Sequence, residues 1–201
     1  MAEQNDDALQ KMSAEEIPKA SEPTEIAPTT TEKEGEKLPK LSPQDFRVYN
    51  RMAEHMDLFH ENFRQTWNTL YHAASTNSRP NGMSIRQFLA LAEQFSHHLT
   101  VHHTIEEQHI FPVLARKMDV FKNKEHLLEQ HKGIHQGLEG FEEYIAKCRS
   151  GEKELRLQEL KELMDGFGDV LWTHLDDEVR TLGAENVRRY WTLEEMRRLP
   201  M

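Results

Sequence analysis

The chain carries twelve histidines in 201 residues, and helical spacing joins several of them to glutamates. His102 and Glu106 stand four apart, as do His131 and His135, and His174 and Glu178; His60 stands alone upstream. On an α-helix a step of four puts two side-chain heads on adjacent turns of one face. Imidazole nitrogen and carboxylate oxygen suit first-row metals such as iron, manganese and zinc. The apolar residues around them show where they point. Leu160, Met164, Phe167, Leu171, His174, Glu178 and Leu182 follow at steps of three or four, so His174 and Glu178 continue a core stripe. His131 and His135 flank Ile134 and Leu138, Glu106 falls near the stripe of Leu99 and Ile110, and His60 shares a face with Met56, Phe63 and Trp67. An ionised carboxylate buried alone is costly, so inward-facing Glu and His imply a partner, and a metal site ties them together.

Other histidines compete for these places. His103 with Glu107 is also a one-turn pair, and the helical wheel puts His103 nearer the apolar stripe than His102. His55 is the second choice for the ligand on the first helix. His98, one turn before His102, could donate to it from outside, and His126 falls off the apolar face of its helix. His72, His97 and His109 show no partner pattern.

The elements that must position these groups are helices. Ser42 caps a helix with Pro43 in its first turn and Asp45 behind it. Met52, Met56, Phe59, Phe63, Trp67 and Leu70 then mark one face as far as about Ala74. After a loop over 75–82, Ser84 and Gln87 form a capping box. That second helix carries Ile85, Phe88, Leu89, Ala92, Phe95, Leu99 and Ile110, and Pro112 kinks or ends it. A third carries Leu127, Ile134, Leu138, Phe141 and Ile145 and stops near Ser150-Gly151, and the stripe from Leu160 is a fourth. Thr192 and Glu195 open a short last helix. With no strand-like alternation, the expected fold is all-α: an antiparallel up-down-up-down four-helix bundle over 42–185, with a short C-terminal helix in 186–201.

Residues 1–41 read differently. They hold ten acids, five bases and four of the eight prolines, and no aromatic precedes Phe46. Such a segment buries too little apolar surface to offset its chain entropy, so a disordered acidic tail is expected. The net charge of −10 argues against binding nucleic acid or an acidic membrane face. No apolar run is long enough to span a bilayer, and the acidic start argues against a secretory or transit signal. Cys148 is the single cysteine, which fits a reducing compartment and a cytoplasmic location.

The order His60, His102-x-x-x-Glu106, His131-x-x-x-His135, His174-x-x-x-Glu178, one element per helix, resembles the hemerythrin-like (HHE) cation-binding domains. The segment from His102 to Pro112 is similar to their His-x-x-x-Glu-Glu signature with its aromatic-Pro pair, and Met56 to Phe63 to their first-helix motif. The likeness covers roughly 46–183. Its register selects His102 and Glu106 over His103 and Glu107. The resemblance implies two iron ions: His131, His135 and His174 on one, His60 and His102 on the other, with Glu106, Glu178 and an oxo or hydroxo group as bridges. It also implies an apolar lining drawn from Phe63, Trp67, Phe167 and Leu171, and a small ligand such as O2, NO or peroxide. Oxygen carriers of this kind place an aspartate five residues after the fourth-helix histidine, whereas Glu178 here follows His174 by four, so the carrier role does not follow. A protein that binds or senses O2 or a related species is the favoured reading, and a diiron oxidoreductase the alternative. A third is an iron-buffering or structural metal bundle. The sequence holds no polar set for an organic substrate and no cysteine pair to relay electrons, and it leaves the oligomeric state open.

Overall fold

The computed structural model of the protein describes residues 38–122 and 127–199. The chain divides into two units, Met1–Pro39 and Lys40–Met201. All elements below belong to the second. The expected disordered tail falls almost wholly outside the described residues, and so does His126.

Four long helices carry the fold: α1 (Pro43–Thr76), α2 (Ile85–Ile105), α5 (Leu127–Ser150) and α6 (Leu157–Leu182). Ser42 Oγ accepts the Asp45 amide at the start of α1, and Ser84 with Gln87 completes a capping box on α2. The C-terminus of α5 is followed by Gly151 at φ +82°, a left-handed turn that glycine adopts without side-chain strain. Short helices fill the connections: α3 (Phe111–Leu114), α4 (Asp119–Lys122), α7 (Ala184–Val187) and α8 (Leu193–Arg198). The last has the expected Thr192–Glu195 capping box, whereas α4 and α7, each four residues long, show no periodicity that sequence could reveal. No strand occurs among the described residues.

Neighbouring helices run antiparallel. Along α1 and α6, His60 meets Leu175, Trp67 meets Gly168 and Tyr71 meets Asp165, and Asn50 of α1 meets Ala184 at the start of α7. Along α5 and α6, Gln130 meets Asp177 and Gly137 meets Phe167. His103 packs on His131 and Phe95 on Phe141 between α2 and α5, while Phe63 touches His102 and Trp67 touches Phe95 between α1 and α2. Each helix thus lies against its predecessor, and α6 closes on α1, as short connections favour. Gly137 sets the closest approach: a Cβ there would collide with the Phe167 side chain.

The expected kink at Pro112 takes the form of a π-turn over Glu106–Ile110, where the Phe111 amide reaches back to the Glu106 carbonyl. Proline has no N–H to continue the ladder and its ring crowds the preceding turn, so a wider turn absorbs the mismatch. The core falls into two clusters. A large aromatic one includes Phe88, Phe95, Phe141, Phe167 and Trp67. A second, at the other end, gathers Met52, Met56, Phe111, Met118, Leu182, Val187, Trp191 and Met196. The C-terminal helix therefore packs as part of the bundle. Arg51 donates to the Leu199 carbonyl at 2.7 Å, and Lys117 pairs with Glu195 and lies over the Trp191 ring. No described helix is long and apolar enough to cross a membrane.

Candidate metal centre

Polar side chains from all four long helices and the π-turn converge between the two apolar clusters. His60, His103, His174 and Glu178 have no exposed surface, and Glu106 and His131 have 1%. Among the described residues two sets bring ligand-type atoms within 4.8 Å of one another. One comprises His103, Glu106, His131 and His174; the other comprises His60, His102, Glu106 and Glu178. Glu106 belongs to both, because the π-turn presents it on the bundle axis beside both His102 and His131.

Hydrogen bonds fix how three of the rings face. His60 Nδ1 donates to the Leu175 carbonyl at 3.0 Å, and its Nε2 lies 3.3 Å from Glu178 Oε2. His131 Nδ1 donates to Glu107 Oε1 at 2.7 Å. His174 Nδ1 donates to Gln130 Oε1 at 3.4 Å, and Gln130 Nε2 in turn donates to Asp177 Oδ2 at 3.0 Å. Each acceptor is an oxygen without a proton, so each of these histidines carries a hydrogen on Nδ1 and turns its Nε2 inward. The Nε2 atoms of His131 and His174 face each other across 3.2 Å. Both oxygens of Glu106 and of Glu178, Nε2 of His60 and of His102, and both ring nitrogens of His103 are buried without a hydrogen-bond partner.

Burial also sets the protonation states. It pushes His102 down to about 4 and His174 down to about 3, and it lowers His131 and His103 as well. The neutral imidazole is the form that binds metal. Glu106 is pushed well above the usual carboxylate range by burial and then by the charge of Glu178. Burial likewise opposes ionisation of Glu178, but the nearby rings of His60, His174 and His102 together outweigh it and hold its carboxyl low. Two carboxyls with opposed shifts, facing bare nitrogens in a dry pocket, lack positive charge.

The model of the hemerythrin HHE cation-binding domain matches residues 51–184, more than half of the chain. The chain belongs to this family. No curated protein and no solved structure matches it significantly.

The residues of this HHE domain fit a cation pair on the chemistry of the donor set. A cation between His131 and His174 would turn a repulsive contact into two bonds, and cations would also satisfy the orphaned oxygens of Glu106 and Glu178. Six of the seven residues that the sequence singles out, His60, His102, Glu106, His131, His174 and Glu178, lie in the two sets. His135 lies in neither; it is half-buried, its ring edge-on to His103 at 5.4 Å. The family register sets His103 aside, yet the structure buries it inside one set. The helical wheel, which places it nearer the apolar stripe, was the signal that could have found it. Glu107 and Gln130 went unnoticed as partners of the rings because their contacts join different helices. His55 and His98 are exposed, and His55 rests on Phe59 rather than entering the pocket. Of the expected lining, Phe63 packs on the His102 ring at 5.1 Å, and Trp67 and Phe167 pack together nearby.

Proposed function

We propose that this HHE domain holds two iron ions and uses them to bind O2 or a related small species such as NO or peroxide. The ligands in this reading are His60, His102, Glu106, His131, His135, His174 and Glu178, with the carboxylates of Glu106 and Glu178 shared between the two ions. The observation that carries it is the set of inward Nε2 atoms around two unpartnered carboxylates, with Glu106 common to both groups. Bound iron would supply a redox-active Lewis acid able to take up a small ligand.

The chain's own residues do the rest. The Leu175 carbonyl, Glu107 and Gln130 hold three imidazoles in one tautomer and orientation, so no ring must turn when a cation arrives. Phe63 keeps the inner edge of His102 dry, and Phe111 stacks on His131 at 5.5 Å from the other apolar cluster. A pocket closed by aromatic rings suits small uncharged ligands and offers no polar grip to a larger organic substrate.

The test is an anaerobic Fe(II) titration of the full chain with metal analysis, followed by O2. The reading expects two irons per chain and a spectral adduct that reverses when O2 is removed. Prompt conversion to a diferric state with turnover of added peroxide would favour an oxidoreductase. Two irons that react with neither would favour a buffering or structural bundle, and failure to bind iron would sink the proposal.

A further inference from the structure

His103 is fully buried, and neither of its ring nitrogens has a hydrogen-bond partner. A neutral imidazole that leaves water without replacing either hydrogen bond is an unusual expense in a folded core. Its surroundings show what could offset that. The ring stacks on His131 with centroids 4.0 Å apart and planes 16° from parallel, and stands edge-on to His174 at 5.2 Å. One of its nitrogens lies within 4.8 Å of the ligand-type atoms of Glu106, His131 and His174. The ring of His135 packs at 78° against His103, on the half-buried side, and supplies no atom to either set.

We propose that His103 is a metal ligand of the fully buried set, in the place that the family likeness gives to His135, and that His135 is the residue that holds the His103 ring in position. The assignment rests on the cation-pair reading above. Three features of the chain make it work. Residues 102 and 103 are about 100° apart around α2, so consecutive side chains can serve the two sets. The π-turn that follows leaves Glu106 on the axis between them. His131 and His174 are each held by a side chain behind them, which leaves the third imidazole to come from α2. The pocket then draws six imidazoles together, five as ligands and one as support.

The experiment compares the full-length wild type with His103→Asn and His135→Asn by anaerobic Co(II) titration, reading stoichiometry and the visible ligand-field bands. In His103→Asn one of the two Co(II) ions should be lost or bound at least about a hundredfold more weakly, beyond the ~10–100-fold typical of losing an outer partner. His135→Asn should keep both ions, with one weakened by about 10–100-fold at most. The reverse order would restore His135 as the ligand and overturn the proposal. A wild type that takes up no cation would instead overturn the reading beneath it. Should either variant fail to fold, long-range ¹H–¹⁵N spectra of the Zn(II)-loaded wild type decide the matter. A metal-shifted His103 nitrogen beside an unshifted His135 supports the assignment, and the converse removes it.

Discussion

The two ligand sets share Glu106 and differ in nearly everything else. The set of His103, Glu106, His131 and His174 is buried throughout, and side chains hold two of its rings from behind: Glu107 on His131, and Gln130, backed by Asp177, on His174. In the set of His60, His102, Glu106 and Glu178, His60 leans on a backbone carbonyl, and the side chain of His102 is 11% exposed beneath the half-exposed ring of Phe59. A carboxylate behind an imidazole makes it a stronger base than a peptide carbonyl does. One position is thus built for tight, dry retention of a cation, and the other for contact with what comes from outside. On the two-cation reading the positions would not be equivalent, and the difference lies in residues outside both sets.

The comparison breaks most completely at the shared residue. Glu106→Gln should abolish tight binding at both positions, read as metal content after gel filtration. The same substitution removes a buried carboxyl whose ionisation burial and Glu178 oppose, so the metal-free variant should melt higher than the metal-free wild type. Acid should act next most strongly. His102 and His174 have folded values of about 4 and about 3 against about 6.5 when unfolded. Between those limits the unfolded chain binds more protons, so the metal-free protein loses stability as pH falls from about 6.5 toward 4. Glu106 works the other way, since its raised value costs stability as pH rises above about 4.5, but one carboxyl opposes several imidazoles. Melting curves at successive pH values should show the histidine slope, and a flat profile would mean that these rings are charged or solvated in the fold.

Glu107→Gln sharpens the contrast, because it keeps an acceptor on His131 but removes the charge. It should weaken one cation by about 10–100-fold and leave the other within a few-fold, seen as two separated steps in a competitive chelator titration. Equal weakening of both would erase the distinction between the sets. The smallest effect is expected for Phe59→Ala, which uncovers His102. A bulky chelator should then strip one cation a few times faster while the second leaves at its former rate.

Much of this architecture was legible in the residues. The stripes from Met52 to Leu70 and from Leu160 to Leu182 gave two of the long helices, and the Ser84–Gln87 and Thr192–Glu195 boxes marked helix starts that the structure reproduces. Those signals are local, set by caps and by a period of 3.6. Six of the seven candidate ligands converge: His60, Glu106, His131, His174 and Glu178 sat at or beside a stripe on their own helix, and the family register selected His102. The helical wheel offered His103, but the packing that leaves His135 outside both sets was not legible, since it depends on contacts between α2 and α5. Nor were Glu107 and Gln130. Glu107 reads as half of a one-turn pair with His103, but its partner is a ring on another helix. The small helices over 119–122 and 184–187 left no pattern because their shape is imposed by the end of the bundle on which they lie.

That end carries a practical consequence. The family match stops at residue 184, but Val187, Trp191 and Met196 share a cluster with Phe111, whose ring lies flat against His131. A chain trimmed to the boundaries of the family match would lose the stopper of the bundle and let water reach the tightest-held imidazole from below. Residues 185–199 fall outside the family match, yet they help to keep the pocket dry.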